Sequence, residues 1–132
     1  METPVRIDEV FYTKEHLWVG FQGAIAYVGI SDRLQQEMGE MIYASFYPTE
    51  KISPQNEVFG IVESKKIITR LYMPISCKVL ETNIEVMINP KILNSKPMSE
   101  GWLAKVAVIS PPEMEHLLSE AEYQNLIAQQ LN

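Results

Sequence analysis

The chain is poor in residues that bind metals or form covalent cross-links. It has one cysteine, Cys77, in 132 residues, which excludes an internal disulfide and a cysteine-rich zinc or iron–sulfur site. Its two histidines, His16 and His116, lie far apart in sequence, and neither belongs to an HExxH-type zinc motif. We therefore expect no metal site.

Basic charge and long apolar runs are also scarce. The formal net charge is -6, which argues against a nucleic-acid partner because phosphate binding requires a basic face. No apolar stretch approaches the roughly 20 residues that cross a bilayer. The first residues lack the basic and apolar regions of a secretory signal. We expect a cytoplasmic, monomeric protein without a membrane segment.

Short β-prone runs, separated by prolines and turn residues, recur along the chain before its last residues. They cover residues 17–21, 24–30, 41–47, 57–63, 67–74, 77–83 and 102–109. Gln22-Gly23 joins the first two runs as a tight hairpin. Ser31 caps a short helix that ends at Gly39. This pattern is typical of a small barrel or sandwich.

The last residues change to a helical pattern. Ser110-Pro111-Pro112-Glu113 and Ser119-Glu120-Ala121-Glu122 each combine a capping serine with a glutamate three residues later. The second signal precedes residues that share one helical face: Tyr123, Leu126 and Ile127. We predict one β-rich α+β domain over residues 1–132, with an N-terminal extension at 1–10 and two helices within 110–132.

Two adjacent lysines lie in a short polar segment, Ser64-Lys65-Lys66, between two β-prone runs. A lysine at the tip of a two-stranded ribbon has clearance on both sides, so a modifying enzyme can enclose it. Its flexible four-carbon stem suits extension into a swinging arm that visits one partner after another. A lysine pair is more commonly a plain solvated turn, and the residues by themselves leave this choice open.

From Phe11 to Tyr123 the chain resembles the H protein of the glycine cleavage system, a lipoyl carrier. The matching segments follow the family's order: YTKEHLWV from Tyr12, VGISD from Val28, FGIVESKK from Phe59, YMPIS from Tyr72, VLETN from Val79, and NP, LN and EGWL from Asn89, Leu93 and Glu100. The resemblance implies a hybrid barrel-sandwich fold with a lipoyl group covalently attached to Lys66. Glu63, Ser64 and Lys65 are then flanking recognition residues, and Lys65 is the competing attachment point.

The resemblance also implies the partners. A lipoate ligase or lipoyl transferase attaches the arm, which carries an aminomethyl group between glycine decarboxylase, aminomethyltransferase and dihydrolipoyl dehydrogenase. The chain is then a carrier component rather than an enzyme. We find no nucleophile–base pair or phosphate-binding glycine loop in the sequence that would indicate catalysis.

The chain departs from the family pattern at the expected cargo cleft. A family glutamate aligns with Leu17 and a family aspartate aligns with Arg70, so two carboxylates are missing. A cationic amine gains from a nearby carboxylate and is repelled by a cation. Glu15 compensates for Leu17 only if the two share a strand face, and His16 is a further cleft candidate.

Two other departures concern turns. Cys77 replaces a family glycine; it is either a redox partner of the lipoyl thiols or a small buried apolar side chain, and the second interpretation is favoured. The segment from Pro48 to Asn56 contains none of the glycines that the family places there, so we expect it to take another course.

Three functions stay open. The first is the glycine cleavage carrier. The second is an H-like lipoate-binding protein that carries sulfur intermediates in cytoplasmic sulfur oxidation with a heterodisulfide-reductase-like complex, where Arg70 would favour an anionic adduct. The third is an unlipoylated binding or regulatory module, in which Lys65 disturbs recognition by the ligase.

Overall fold

A computed structural model describes residues 9–48, 52–109 and 116–130. These residues form nine strands: β1 (Glu9–Tyr12), β2 (Leu17–Gln22), β3 (Ile25–Ile30), β4 (Met41–Phe46), β5 (Ile52–Ser53), β6 (Val58–Ser64), β7 (Ile68–Tyr72), β8 (Cys77–Thr82) and β9 (Ala104–Val108). They also form four helices: α1 (Asp32–Met38), α2 (Ile84–Ile88), α3 (Ile92–Ser95) and α4 (Glu120–Gln130).

The strands form two antiparallel sheets that share one core. The larger sheet has the order β1-β2-β3-β9-β8-β5, and the smaller has the order β4-β6-β7. The core takes Leu17, Val28 and Val106 from the larger sheet and Val62 and Leu71 from the smaller. Each such side chain contributes about 1.5–3 kcal/mol on full burial. This arrangement confirms the predicted β-rich α+β class.

The local signals around α1 are confirmed. The Leu34 N–H donates to the Ser31 side-chain oxygen at 3.1 Å, which caps the helix. Gly39 ends the helix with a φ of 83°. Gly23, in the predicted hairpin between β2 and β3, has a φ of 65° and nothing within 4 Å of an added Cβ.

Helix α4 corresponds to the second of the two helices that we predicted near the C-terminus. The Ser119 N–H donates to Glu122 at 2.8 Å and the Glu122 N–H donates to Ser119 at 3.2 Å, so the capping box forms in both directions. The side chains of Tyr123, Leu126 and Ile127 pack on a second apolar cluster around Trp18. The helix predicted from Ser110-Pro111-Pro112-Glu113 lies outside the described residues.

Some elements differ from the sequence predictions. Glu9 and Val10, which we assigned to an N-terminal extension, pair with β2 as the start of β1. The short helices α2 and α3 fall in a region for which we predicted no element. The loop without glycines reaches a positive φ of 73° at Asn56 instead. Among the described helices, none combines the length and the apolar character needed to cross a membrane.

Candidate functional site

The adjacent lysines lie in the turn of the β6–β7 hairpin. The strands pair up to Glu63 and Ile68, and the Ser64 N–H then donates to the Ile67 carbonyl at 2.9 Å. Lys65 and Lys66 are the two central residues of this turn, and both are exposed. The structure therefore has the lysine pair in a hairpin turn between two strands, as predicted. The hairpin is not a free two-stranded ribbon, because β6 also pairs with β4 up to Met41 and Ser64.

Ser64 fixes the shape of this turn. Its side chain is 3% exposed, and its hydroxyl oxygen accepts hydrogen bonds from the backbone N–H groups of Lys66 and Ile67, at 3.1 and 3.2 Å. A serine hydroxyl that bonds the backbone two and three residues later stabilises a tight turn. The backbone under Lys66 is held by a buried side chain, whereas Lys66 itself is exposed.

The two lysines have different surroundings. Lys65 is held by Glu40: its N–H donates to the Glu40 carbonyl at 3.0 Å, and its ammonium lies 3.1 Å from the Glu40 carboxylate. The ammonium of Lys91 lies 3.7 Å from the other oxygen of that carboxylate. None of the ion pairs within the described ranges involves Lys66. An exposed amine without such a partner fits the covalent attachment of an acyl group.

The stem of Lys66 lies over the end of α1. Its Cε is 3.4 Å from the place where a Cβ on Gly39 would stand. Gly39 has φ 83° and ψ -154°, a combination that is almost restricted to glycine. The junction between α1 and β4 thus supports both lysines, through Gly39 under Lys66 and through Glu40 beside Lys65. The sequence identified Gly39 as a helix end, but it gave no sign of this contact.

Glu15 and Leu17 do not share a strand face, which was the condition for Glu15 to compensate for Leu17. Leu17 is fully buried in the core, so it offers no surface to a cargo. Glu15 lies in the turn before β2, and His16 between them has a positive φ of 71°, so the alternation of a strand does not apply. Glu15 lines a surface cleft of about 240 Å³ together with Asn56 and Pro74.

This cleft is at the far end of the hairpin from the lysines. Asn56 precedes β6 and Pro74 follows β7, whereas Lys66 lies where the two strands meet. A strand of seven residues extends roughly 23 Å. The structure therefore does not bring Glu15 to the turn that contains the lysines. Glu15 cannot replace a missing carboxylate at that turn. Arg70 is exposed at the middle of β7, where it pairs with Ile61.

His16 is part of a hydrogen-bond network that holds α4. Its Nδ1 lies 2.7 Å from the Tyr123 hydroxyl, which is also 2.7 Å from the Ser31 hydroxyl. Tyr12 stacks on Tyr123 with ring centroids 4.2 Å apart, and its hydroxyl donates to Glu120 at 2.8 Å. Burial lowers the pKa of His16 below its ordinary value, since the charged ring loses hydration. The contacts of its Nδ1 atom and ring thus help to hold α4 against the sheet.

Cys77 is fully buried in the core. Burial raises the pKa of its thiol to about 12, so the reactive thiolate is disfavoured at neutral pH. This environment supports the small buried side chain and contradicts the redox interpretation. In the described part of the chain, no group of three or more His, Cys, Asp or Glu residues could hold a metal ion.

Comparisons with known proteins agree on one family. The sequence model described as "Glycine cleavage H-protein" matches residues 10–130 of the chain. The glycine cleavage system H protein of Herpetosiphon aurantiacus is 40% identical over 124 residues, which cover 94% of this chain and 95% of that protein. The one from Halothermothrix orenii is 34% identical over 116 residues, covering 88% and 91%.

A solved structure agrees on the fold. The crystal structure of a glycine cleavage system H protein from Mycobacterium marinum superimposes with a TM-score of 0.83 at 24% sequence identity. The match covers 91% of this chain and 97% of that one. This likeness confirms the predicted barrel-sandwich architecture.

Proposed function

Because the chain belongs to the glycine cleavage H-protein family, whose members are lipoyl carriers, we propose that it carries a lipoyl group on Lys66 and serves glycine cleavage. The observation that supports the attachment site is the exposed Lys66 amine at the crest of the β6–β7 ribbon. The proposed partners are a lipoate ligase or lipoyl transferase, and then glycine decarboxylase, aminomethyltransferase and dihydrolipoyl dehydrogenase.

The residues of the chain have separate tasks in this proposal. Lys66 supplies the amine that forms an amide bond with the lipoyl carboxyl group. When bound, the group supplies a cyclic disulfide that is reduced as it accepts an aminomethyl unit. Ser64 holds the turn so that Lys66 is presented in one backbone geometry, and the flanking residues Glu63 and Lys65 contribute to the surface that the attaching enzyme recognises. Tethering at this tip raises the effective concentration of the arm at each docked partner.

Glycine-dependent release of carbon dioxide tests this function. We expect the lipoylated protein to support release of labelled carbon dioxide from carboxyl-labelled glycine by glycine decarboxylase, and the Lys66→Arg variant to support none. A lipoylated relative that is active with the same decarboxylase is the control. If the lipoylated chain is inactive where this control works, the aminomethyl cargo is excluded.

The environment of Arg70 supports a second candidate, in which the arm carries an anionic sulfur group for a heterodisulfide-reductase-like complex. Arg70 is exposed on β7, four residues after Lys66, where the family pattern has an aspartate. A guanidinium repels a cationic amine and attracts an anion. If the cargo is nevertheless aminomethyl, Arg70→Asp should raise the glycine-dependent rate, by roughly two- to fivefold for an exposed charge pair.

The third candidate, an unlipoylated module, is separated from both carriers by intact mass. Protein incubated with lipoate and a ligase that modifies a typical H protein should gain one lipoyl group. An unchanged mass of the folded protein under those conditions would favour the module.

A further inference from the structure

The crest of the ribbon presents a choice between two amines. Lys65 and Lys66 are neighbours in one turn, and both are exposed. An enzyme that encloses the tip meets both of them. Both are primary amines on the same flexible stem, so the chemistry of the two groups does not distinguish them.

Lys65 is held at two points by one residue. The Glu40 carbonyl accepts its backbone N–H at 3.0 Å, and the Glu40 carboxylate lies 3.1 Å from its ammonium. These contacts tie Lys65 to the segment between α1 and β4. The hydrogen bond and the charge of Lys65 lower the pKa of Glu40, with a smaller effect from Lys91, so the carboxylate stays ionised at neutral pH.

Lys66 is held differently. Its backbone N–H donates to the buried Ser64 hydroxyl, and its stem passes over Gly39, where a side chain is missing. Glu40 contacts two ammonium groups, those of Lys65 and Lys91. Within the described ranges, the Lys66 ammonium has no carboxylate partner. The turn therefore restrains the backbone of Lys66 and leaves its amine available.

We propose that Glu40 is a specificity-determining residue that withholds Lys65 from the lipoyl-attaching enzyme and leaves Lys66 as the acceptor. This inference rests on the proposed carrier function. In the attachment step the amine attacks the carbonyl carbon of an activated lipoyl donor, an acyl-adenylate or a carrier thioester. An amide bond forms, the adenylate or thiol leaves, and the proton of the amine passes to a base or to solvent. Lys65 has to break its contact with Glu40 before it can do the same.

The ratio of the two modified peptides measures this selection. With limiting ligase, we expect Glu40→Gln to raise the ratio of lipoyl-Lys65 to lipoyl-Lys66 by roughly two- to fivefold, the range for an exposed ion pair. The matched control is Glu100→Gln, which removes the carboxylate of the exposed Lys96–Glu100 pair and should leave the ratio unchanged. In a Lys66→Arg background, Glu40→Gln should increase modification of Lys65 by a similar factor.

We expect a different result if Glu40→Gln acts only by changing the structure of the turn. If Glu40→Gln only loosened the turn, modification of Lys66 would fall without a rise at Lys65. That outcome, or an unchanged ratio, would overturn the inference while the carrier function stands. If neither lysine of the native protein is modified by a competent ligase, the proposed function fails instead.

A small acylating reagent tests, without any ligase, whether the contact with Glu40 makes the Lys65 amine less reactive than that of Lys66. Brief treatment with an acetyl N-hydroxysuccinimide ester should label Lys66 faster than Lys65, and Glu40→Gln should reduce that difference. High salt should reduce it too, because exposed ion pairs are screened. Equal labelling of the two lysines in the native protein would contradict the role of Glu40.

Discussion

At the scale of single residues, the surroundings of a side chain decide its role more than its type does. Lys65 and Lys66 are identical groups in one turn, yet only Lys65 contacts Glu40. Cys77 is a potential nucleophile by type, but burial raises the pKa of its thiol to about 12. His16 is one of the cleft candidates in the sequence, and in the structure its Nδ1 lies 2.7 Å from the Tyr123 hydroxyl. A role can therefore be assigned to a reactive residue identified from sequence only when its structural surroundings are known.

We expect His16 to make the stability of the protein depend on pH. Burial lowers the pKa of its ring in the folded state, so the unfolded chain binds a proton near the ordinary value of 6.5 while the folded protein resists it. The free energy of unfolding should therefore decrease as pH falls below 6.5 and through the lowered pKa.

Urea denaturation at neutral and mildly acidic pH checks this prediction. We expect His16→Asn to weaken the pH dependence, because asparagine tolerates the positive φ of 71° but does not titrate. The variant is expected to be less stable at neutral pH, since the ring contact with Tyr123 is lost. An equal slope in both proteins would show that His16 does not contribute.

At the scale of elements, caps and turns could be predicted from short-range sequence signals, whereas very short helices could not. The cap at Ser31, the helix end at Gly39 and the hairpin at Gly23 depend on residues within a few positions, and all three are confirmed. Helices α2 and α3 have five and four residues, too few to show a helical period. The side chain of Asn83 caps α2 by accepting from the Glu85 N–H at 3.1 Å, and this was the one local signal for it.

The junction between α1 and the ribbon should be sensitive to substitution of Gly39. We expect Gly39→Ala to lower the free energy of unfolding by about 1–3 kcal/mol, because its backbone angles are strained for any residue with a Cβ. The new methyl group would also contact the Lys66 stem at 3.4 Å. Gly23→Asn is the control, with open space around it and a φ of 65° that asparagine accepts. Chemical denaturation of both variants measures the difference, and equal stability would contradict the strain at Gly39.

At the scale of the whole molecule, contacts between distant segments could not be predicted from local sequence. The order of strands places β9 between β3 and β8, and no short-range pattern specifies that order. Glu40 meets Lys65, and His16 meets Tyr123, across long stretches of chain. The family resemblance supplied the fold because it carries information that periodicity lacks. It did not supply these contacts.

The docking of α4 should depend on one hydroxyl group. We expect Tyr123→Phe to lower the free energy of unfolding by about 1–3 kcal/mol, because His16 and Ser31 each lose a 2.7 Å contact while stacking on Tyr12 is kept. Tyr43→Phe, at a half-exposed tyrosine of β4, should change stability by less than about 0.5 kcal/mol. Thermal or urea unfolding compares them; a neutral Tyr123→Phe would mean that the helix docks by apolar contact alone.

The central claim is that Lys66 is the attachment point of a swinging arm, and peptide mapping after lipoylation tests it most directly. The native protein, Lys65→Arg and Lys66→Arg are each incubated with lipoate and a ligase that modifies a typical H protein. The account predicts one lipoyl group on Lys66 in the native protein and in Lys65→Arg, and little or none in Lys66→Arg. A native protein that stays unmodified, or that carries the group on another lysine, would contradict it.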